Sequence, residues 1–263
     1  MLTIRSYFDD SADEKRKRYH AIGGLVGIPQ SWDHFDNLWT TATYGLIAPF
    51  HATDCETRHG AFEGWSVERS AALMKRLIKI IESTRLVGFG SMVSIPEYFR
   101  VFPGSSEHAP YCLLVRHMLI NMAQVCADLS SDTLETHGMK VWHENGDISA
   151  TIARVWHELK RVRSWLYRDY LTDFAIGTKK IPALQGADLV AREAFKHADN
   201  LGVRPARKSV EAIKGRLSFH LWTPECLEYL RDNGGPDNLE TLTAWGRYQN
   251  RPQMIRFYGS TFG

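Results

Sequence analysis

The sequence lacks the features that would place it at once in several large classes of protein. Its four cysteines lie far apart and form no C-x-x-C pair, so neither a zinc ribbon nor a dense disulfide framework is indicated. No apolar run approaches the roughly 20 residues that span a bilayer, and the first residues lack the basic and then apolar pattern of a secretory signal. These absences predict a soluble, cytoplasmic protein with no membrane partner.

An excess of charge of one sign is also missing. Lysine and arginine total 32 and aspartate and glutamate total 30, which gives a formal net charge of +2 at pH 7. So mild a balance does not by itself indicate a nucleic-acid-binding protein. What the chain does have is length and apolar content: 263 residues, 44% of them hydrophobic, suffice for one large domain with a real core.

Hydrophobic periodicity predicts an alternation of strands and helices. Strands are predicted over 2–8, 19–29, 45–51, 86–95, 139–145 and 171–177, and helices over 32–44, 66–83, 111–129, 148–166 and 182–198. Helices followed by strands in one chain indicate an α/β fold with helices flanking a sheet. We predict a core domain over residues 1–200 and a C-terminal appendage over 201–263 that packs on this core.

Acidic residues interrupt apolar contexts at three places. Asp9 and Asp10 end the first predicted strand, Glu144 ends the strand 139–145, and Asp188 lies on the apolar face of the helix 182–198. Carboxylates brought together from two strand ends and a helix repel one another unless a hard cation lies among them, and Mg²⁺ or Mn²⁺ prefers such oxygen ligands. Two metals about 4 Å apart could activate water and stabilise the leaving oxygen of a phosphodiester.

Simpler interpretations stay open for each acid. Asp188 can pair with Arg192 one turn later on its helix, and Glu144 can be a solvated turn residue. Asp10 or Asp13 can cap a turn by accepting hydrogen bonds from backbone N–H groups. Spacing alone therefore makes a weak case for a metal centre.

The acids lie in stretches that resemble a known family. YFDDSADEKRKRYHAIGGLVG (7–27) resembles the opening of the "domain of unknown function 3800" family, which has a strand, a D-E-S-G-D turn and a glycine-bearing strand. KKIPALQGADLVAREAF (179–195) resembles that family's motif of Lys, Pro and then L-Q-x-A-D-L on a helix. PFHATD (49–54) with GAFEGW (60–65), and VWHENGD (141–147), resemble its His-bearing strand end and its strand ending in an acid.

This family is grouped with the ribonuclease H-like superfamily, so the resemblance implies a ribonuclease H-like mixed sheet within residues 1–200. It also implies that Asp9, Glu144 and Asp188 hold Mg²⁺ or Mn²⁺ and act catalytically on a phosphodiester, with water as the nucleophile and Asp10 as a supporting metal ligand. The chain departs from the family pattern where Asp10 replaces Glu and Ala12 replaces Gly. Ala12 disfavours the positive-φ turn that Gly allows, so reduced or lost activity stays an alternative.

The segment from His51 to His59 permits two interpretations. On a helix His51, Cys55 and His59 would share one face and could bind zinc. Pro49 and Gly60 bracket a segment that we interpret as a strand end and turn, which disfavours zinc. The family resemblance instead places His51 near the acids, as a catalytic group that orients a phosphate or transfers a proton; a hydrogen-bonded structural histidine is the alternative.

Basic residues near the acids are candidates for contact with a nucleic-acid backbone. Lys179 and Lys180 precede the acidic helix, and with Gln185 they are predicted to bind substrate. The leading hypothesis is a Mg²⁺- or Mn²⁺-dependent nuclease or phosphodiesterase. The alternative is a non-catalytic member of the same fold that binds nucleic acid or a protein, including a second copy of itself. A small phosphate compound is a third substrate class, if the predicted loop 96–110 closes the site.

Overall fold

A computed structural model describes residues 3–133, 138–205, 207–213 and 217–245 of the chain. Its strands are β1 (Thr3–Ala12), β2 (Tyr19–Gly27), β3 (Val87–Ser94), β4 (Gly138–Glu144), β5 (Leu171–Gly177) and β6 (Leu217–Trp222). Its helices are α1 (Pro29–Thr43), α2 (Ala52–Thr57), α3 (Val67–Ser83), α4 (Ile95–Val101), α5 (Ala109–Thr133), α6 (Ser149–Arg161), α7 (Pro182–Asn200), α8 (Lys208–Ile213) and α9 (Pro224–Asp232). None of the helices described is long and apolar enough to cross a membrane.

One mixed sheet lies at the centre, with the strand order β5-β4-β1-β2-β3-β6. β1, β2 and β3 are antiparallel neighbours, whereas β4 runs parallel to β1, β5 parallel to β4 and β6 parallel to β3. Because β1 and β4 are parallel, with Phe8 opposite His143, Asp9 and Glu144 lie at the same edge of the sheet. The predicted α/β fold, a mixed sheet flanked by helices, is confirmed.

Helices cover both sides of the sheet. α7 packs on β1 and β2 from one side together with α1, α2, α3 and α8, and we call this side the α7 face. α5 packs from the other side together with α4, α6 and α9, and we call it the α5 face. Each face has its own apolar core, and neighbouring residues of β1 divide between them: Tyr7 packs in the core of the α7 face and Phe8 in that of the α5 face.

The hairpin between β1 and β2 is closed by Asp13. Its carboxylate accepts hydrogen bonds from the backbone N–H groups of Lys17 at 3.1 Å and Arg18 at 2.8 Å. These bonds lower the pKa of Asp13 although its partial burial acts in the opposite direction. The interpretation of Asp13 as a residue that caps the turn is therefore confirmed.

Gly23 lets α7 approach the sheet closely. A Cβ atom at this position would lie only 2.3 Å from the backbone nitrogen of Ala191, so any side chain would force α7 away from β2. Gly23 pairs with Asp9 across the β1–β2 ladder, and Asp188 lies one helical turn before Ala191. The missing side chain thus sets the distance between the acid of β1 and the acid of α7.

The predicted strand over 45–51 is wrong, because this segment is irregular and leads into α2. Gly45 has a φ of 84°, which a ladder residue does not adopt, and Pro49 has no N–H to donate to a neighbouring strand. Ile47 is 88% exposed, whereas Phe50 is buried against Trp39. The segment is therefore held to the core by the Phe50 side chain and not by pairing with a neighbouring strand.

Three other segments have structures that the sequence did not predict. Residues 52–57, which lie in the segment interpreted as a strand end and turn, form the short helix α2. The predicted loop 96–110 begins with α4, which lies on the α5 face, away from α7. From the predicted appendage, residues 217–222 form β6, which extends the sheet beside β3.

Candidate active site

Three acids from distant parts of the chain surround one ammonium group. Lys179 Nζ lies 3.2 Å from Glu144 Oε2, 3.4 Å from Asp188 Oδ1 and 3.9 Å from Asp9 Oδ2. Asp9 and Asp188 are each only 4% exposed, and the Glu144 side chain lies nearer the surface. Asp9 near the end of β1, Glu144 at the end of β4 and Asp188 inside α7 therefore converge on one point. We call these three acids and Lys179 the acid–lysine cluster.

Burial and mutual repulsion shape the charge of this cluster. The pKa of Asp9 is raised well above its usual range, first by burial and then by the neighbouring carboxylates of Asp188 and Glu144. Burial alone would lower the pKa of Lys179, but the three carboxylates around it outweigh this effect and raise it. Lys179 is thus protonated at neutral pH, and it is one ammonium group among three carboxyl groups.

Backbone N–H groups fix the orientation of two of the acids. Ala52, the first residue of α2, donates its N–H to Asp188 Oδ2 at 2.6 Å, and Asp10 donates its N–H to Asp9 Oδ1 at 2.8 Å. Each carboxylate is therefore held by one oxygen and turns its other oxygen toward Lys179. Such preorganisation is what a metal or phosphate site requires.

The structure places His51 at the edge of the acid–lysine cluster. Its Nε2 lies 3.9 Å from Asp188 Oδ1, and its Nδ1 lies 3.2 Å from Asp54 Oδ1 without the alignment of a hydrogen bond. The side chain is 36% exposed, so His51 reaches both the buried acid and solvent. This position suits a group that exchanges a proton with water or with a phosphate.

The segment 51–59 is not the predicted strand end and turn, but its geometry still does not favour zinc. Cys55 is fully buried, and its thiol faces the carbonyl oxygen of Ser70 at 3.8 Å. Arg58 ends α2 in the left-handed conformation, so His59 does not continue the helical face of His51. Among the described residues, the candidate metal-binding group does not include these three side chains.

Asp10 faces the opposite side of the sheet from Asp9, as expected for consecutive strand residues. Burial raises the pKa of Asp10 to about 6. Asp9, Asp10 and His143 each have a ligand atom within 4.8 Å of the other two, so the end of β1 offers a second grouping that could hold a metal. This grouping contains no lysine, whereas in the acid–lysine cluster Lys179 Nζ lies within 3.4 Å of both Glu144 and Asp188.

His143 is less suited to metal binding than this proximity indicates. Its Nδ1 lies 2.5 Å from the backbone oxygen of Glu144, which can only accept a hydrogen bond, so Nδ1 carries the proton. The Nε2 lone pair then faces the hydroxyl of Tyr111 at 3.3 Å. Burial lowers the pKa of His143 to about 4 and keeps the ring neutral. Both nitrogens therefore already have partners within the protein.

The three predicted substrate-binding residues occupy different environments. Lys180 is exposed, whereas Lys179 lies within the acid–lysine cluster. Gln185 is 6% exposed: its Oε1 accepts hydrogen bonds from Trp39 Nε1 and Phe50 N, and its Nε2 donates to the Lys179 carbonyl at 2.7 Å. Its amide is thus engaged within the protein, and the contact to Lys179 makes Gln185 a positioning residue for that side chain.

The alternative pairing of Asp188 with Arg192 is not what the structure shows. Arg192 donates to Glu56 of α2 at 2.8 Å, and Arg207 donates to the other oxygen of Glu56 at 2.9 Å. Although burial would raise the pKa of Glu56, these guanidinium groups lower it. Glu56 therefore fastens α2, and with it the Ala52 N–H, to α7; no local sequence pattern indicated this contact.

The donor set fits a hard divalent cation. All three acids of the acid–lysine cluster present carboxylate oxygens, which Mg²⁺ and Mn²⁺ prefer. No protein-family model matches the chain, and no curated protein is detectably similar to it. The family membership and the activity therefore stay predictions that depend on the residues themselves.

Proposed function

We propose that this protein has a ribonuclease H-like fold and hydrolyses phosphodiester bonds of nucleic acid with Mg²⁺ or Mn²⁺. The observation that carries the proposal is the convergence of Asp9, Glu144 and Asp188, which come from the first strand, a later strand and a late helix. The ribonuclease H-like superfamily has metal-binding acids on the same three kinds of element.

Asp9 Oδ2, Glu144 Oε2 and Asp188 Oδ1 would hold the divalent cation. When bound, it supplies Lewis-acid activation of water and stabilisation of the leaving oxygen. The backbone N–H groups of Ala52 and Asp10 keep the carboxylates oriented throughout, because each occupies the oxygen that faces away from Lys179.

Lys179 and His51 act on the substrate in this proposal. The Lys179 side chain is 18% exposed and lies beside Glu144, the most accessible acid, so it can turn toward the mouth of the site and contact a phosphate oxygen. His51 exchanges a proton with solvent at the edge of the site. Exposed Lys180 adds positive charge where a nucleic-acid backbone would approach.

The proposal is tested by incubating the protein with end-labelled single- and double-stranded DNA and RNA, in Mg²⁺, in Mn²⁺ and in a chelator. We expect metal-dependent cleavage that falls at least about 100-fold in Asp9→Asn and in Asp188→Asn. Asp173→Asn is the matched control, since Asp173 is an exposed acid of β5 that pairs with Lys140. A wild-type protein inactive on all four substrates, or active Asp9→Asn and Asp188→Asn variants, would contradict the proposal.

A second candidate function, non-catalytic binding, is favoured by the position of Lys179. Its ammonium already lies within 3.9 Å of all three acids, where it competes with a divalent cation. If the protein only binds a partner, calorimetry should detect no Mn²⁺ binding to the wild type at millimolar concentration, and Lys179→Met should create it. If the protein is a nuclease, the wild type should bind Mn²⁺, and Lys179→Met should bind it more tightly while cleaving more slowly.

A further inference from the structure

A surface cavity on the α7 face has the dimensions of a small-molecule site. It lies between α2, α3 and α8 and has a volume of about 520 Å³. Sites for small ligands commonly have roughly 300 to 1,000 Å³ and apolar walls with a few polar groups. We infer that this cavity binds a small amphipathic monoanion, a molecule with an aliphatic or aromatic body and one carboxylate group.

The walls supply the apolar contact. One side of α3 contributes Val67, Ala71, Met74 and Ile78, which follow helical spacing, and α8 contributes Ala212. Val67 is 58% exposed, so its apolar side chain is open to a ligand. The cavity is therefore an apolar surface open to solvent, on which the body of a ligand can be buried.

The rim supplies positive charge. Five of its residues are basic and two are acidic, namely Arg58, Lys75, Lys79, Arg207 and Lys208 against Glu56 and Glu82. Glu56 and Arg207 are already paired with each other, which leaves four basic residues against Glu82. The net charge that a ligand meets at the rim is thus positive, and an anionic group is complementary to it.

The wall has too few polar groups for a nucleobase. A base edge needs several donors and acceptors, and the hydroxyl of Ser209 is already bonded to Glu193 at 2.6 Å. Ser70 is 4% exposed, and its hydroxyl has no hydrogen-bond partner in the part of the chain that the structure describes. A single unpartnered hydroxyl suits one carboxylate oxygen, so a simple carboxylate fits better than a nucleotide.

Binding of decanoate to the full-length protein tests the inference. Spectra of the ¹³C-methyl methionines should show a saturable shift of the Met74 methyl, assigned with Met74→Leu. The methyls of Met118 and Met122, which lie in the core of the α5 face, should not move. Calorimetry should give one site per chain, and 1-decanol, the neutral analogue, should bind at least 10-fold more weakly.

Two variants locate the site. Reversing the charge of Lys75 and Lys79 together to Glu should weaken decanoate binding at least 10-fold, whereas Lys17→Glu in the β1–β2 hairpin should leave it unchanged. Ala71→Trp should abolish binding by filling the cavity, and because Ala71 is exposed this change does not disturb the core. Circular dichroism and the melting temperature confirm that each variant is folded.

Three results would overturn the inference. An unmoved Met74 methyl at 5 mM decanoate would show that the cavity takes no such ligand. Equal affinity for decanol and decanoate would show that the cavity does not recognise the carboxylate group. A dimer in sedimentation that Ala71→Trp dissociates would assign the cavity to a second copy of the chain. None of these results depends on nuclease activity, so this inference and the proposed function fail separately.

Discussion

The two faces of the sheet hold buried polar groups in opposite ways. On the α7 face, Asp9, Glu144 and Asp188 crowd around one lysine, and burial raises the pKa of Asp9. On the α5 face, by contrast, three histidines stay neutral. Burial lowers the pKa of His143 and of His20 to about 4, and holds that of His117 well below its usual range.

The difference lies in whether the protein satisfies these groups by itself. His117 contacts Ser91 Oγ and Asn121 Nδ2, each at 3.0 Å, and Trp222 in turn donates to Ser91. This network is neutral and satisfies both ring nitrogens of His117, which indicates a structural role; Asn121 Oδ1 alone has no partner among the residues described. The acid–lysine cluster instead brings three carboxyl groups around one ammonium group, with the pKa of Asp9 raised, and perturbed acids grouped in this way are typical of functional sites.

The largest expected effect separates the two neighbouring acids of β1. Asp9→Asn should lower metal-dependent kcat/KM at least about 100-fold, because Asp9 faces Lys179 and the other acids. Asp10→Asn should lower it by less than about 10-fold, since Asp10 faces the α5 side of the strand. Initial cleavage rates in Mg²⁺ measure both. Equal losses would show instead that Asp9 and Asp10 act together, as their proximity to His143 permits.

The next effect concerns the approach of α7 to the sheet. Gly23→Ala should destabilise the protein by about 3 kcal/mol, because the new methyl would collide with the backbone at Ala191. Gly146→Ala is the control: a Cβ there meets no atom within 4 Å, so its effect should stay within about 0.5 kcal/mol. Urea denaturation measures both free energies of unfolding. A well-tolerated Gly23→Ala would mean that α7 is not held by this close approach.

Acidification should destabilise the protein through the neutral histidines of the α5 face. Burial lowers the pKa of His117, so below about pH 6.5 the unfolded chain binds a proton at this histidine and the folded chain does not. The free energy of unfolding therefore falls as the pH drops below about 6.5. Each such histidine contributes up to about 1.4 kcal/mol per pH unit. His117→Gln does not titrate, so its melting temperature should fall less than that of the wild type between pH 6.5 and 5. Parallel curves would contradict this assignment.

The smallest effect concerns a residue of the α7 face, where stability should fall as the pH rises and not as it drops. Burial, and then the neighbouring Asp33, raises the pKa of Asp36 in α1 to about 6, and its Oδ1 has no hydrogen-bond partner among the residues described. The folded chain therefore binds the proton more tightly, and this contribution to stability is lost as the pH rises from about 4 to about 6. Asp36→Asn should stabilise the protein at pH 7 by on the order of 1 kcal/mol.

The control for this last change is the pH at which it is measured. At pH 4 Asp36 is protonated in the folded chain, so the melting temperatures of Asp36→Asn and the wild type should nearly coincide. A gain of the same size at pH 4 and pH 7 would mean that the amide acts through new contacts and not through charge.

Hydrophobic periodicity predicted several helices and strands close to where the structure has them. β5 matches its predicted range, and β3 is one residue shorter than predicted at each end. α3 begins one residue later than predicted, after Ser66, whose side chain accepts the N–H of Arg69. Periodicity failed over 45–57, where one buried aromatic, Phe50, and a short helix replaced the predicted strand. Short apolar runs with Gly and Pro do not distinguish a strand from a packed loop.

The site was accessible from the sequence only in part. The convergence of Asp9, Glu144 and Asp188 was expected from the motifs that resemble a family, and not from spacing, which left each acid a simpler interpretation. The residues that orient them could not be predicted: the Ala52 N–H and the Gln185 amide act on partners whose approach is decided by tertiary packing. Their sequence neighbourhoods contain no signal of these contacts.

The distance along the chain between Asp9 and Asp188 has a consequence for biosynthesis. About 180 residues separate them, so at roughly 5–20 residues per second some 10–40 s pass between the synthesis of β1 and that of α7. During this interval the nascent chain contains Asp9 without the helix that completes its surroundings. Any catalysis that these acids support is therefore withheld until translation of the domain is nearly complete.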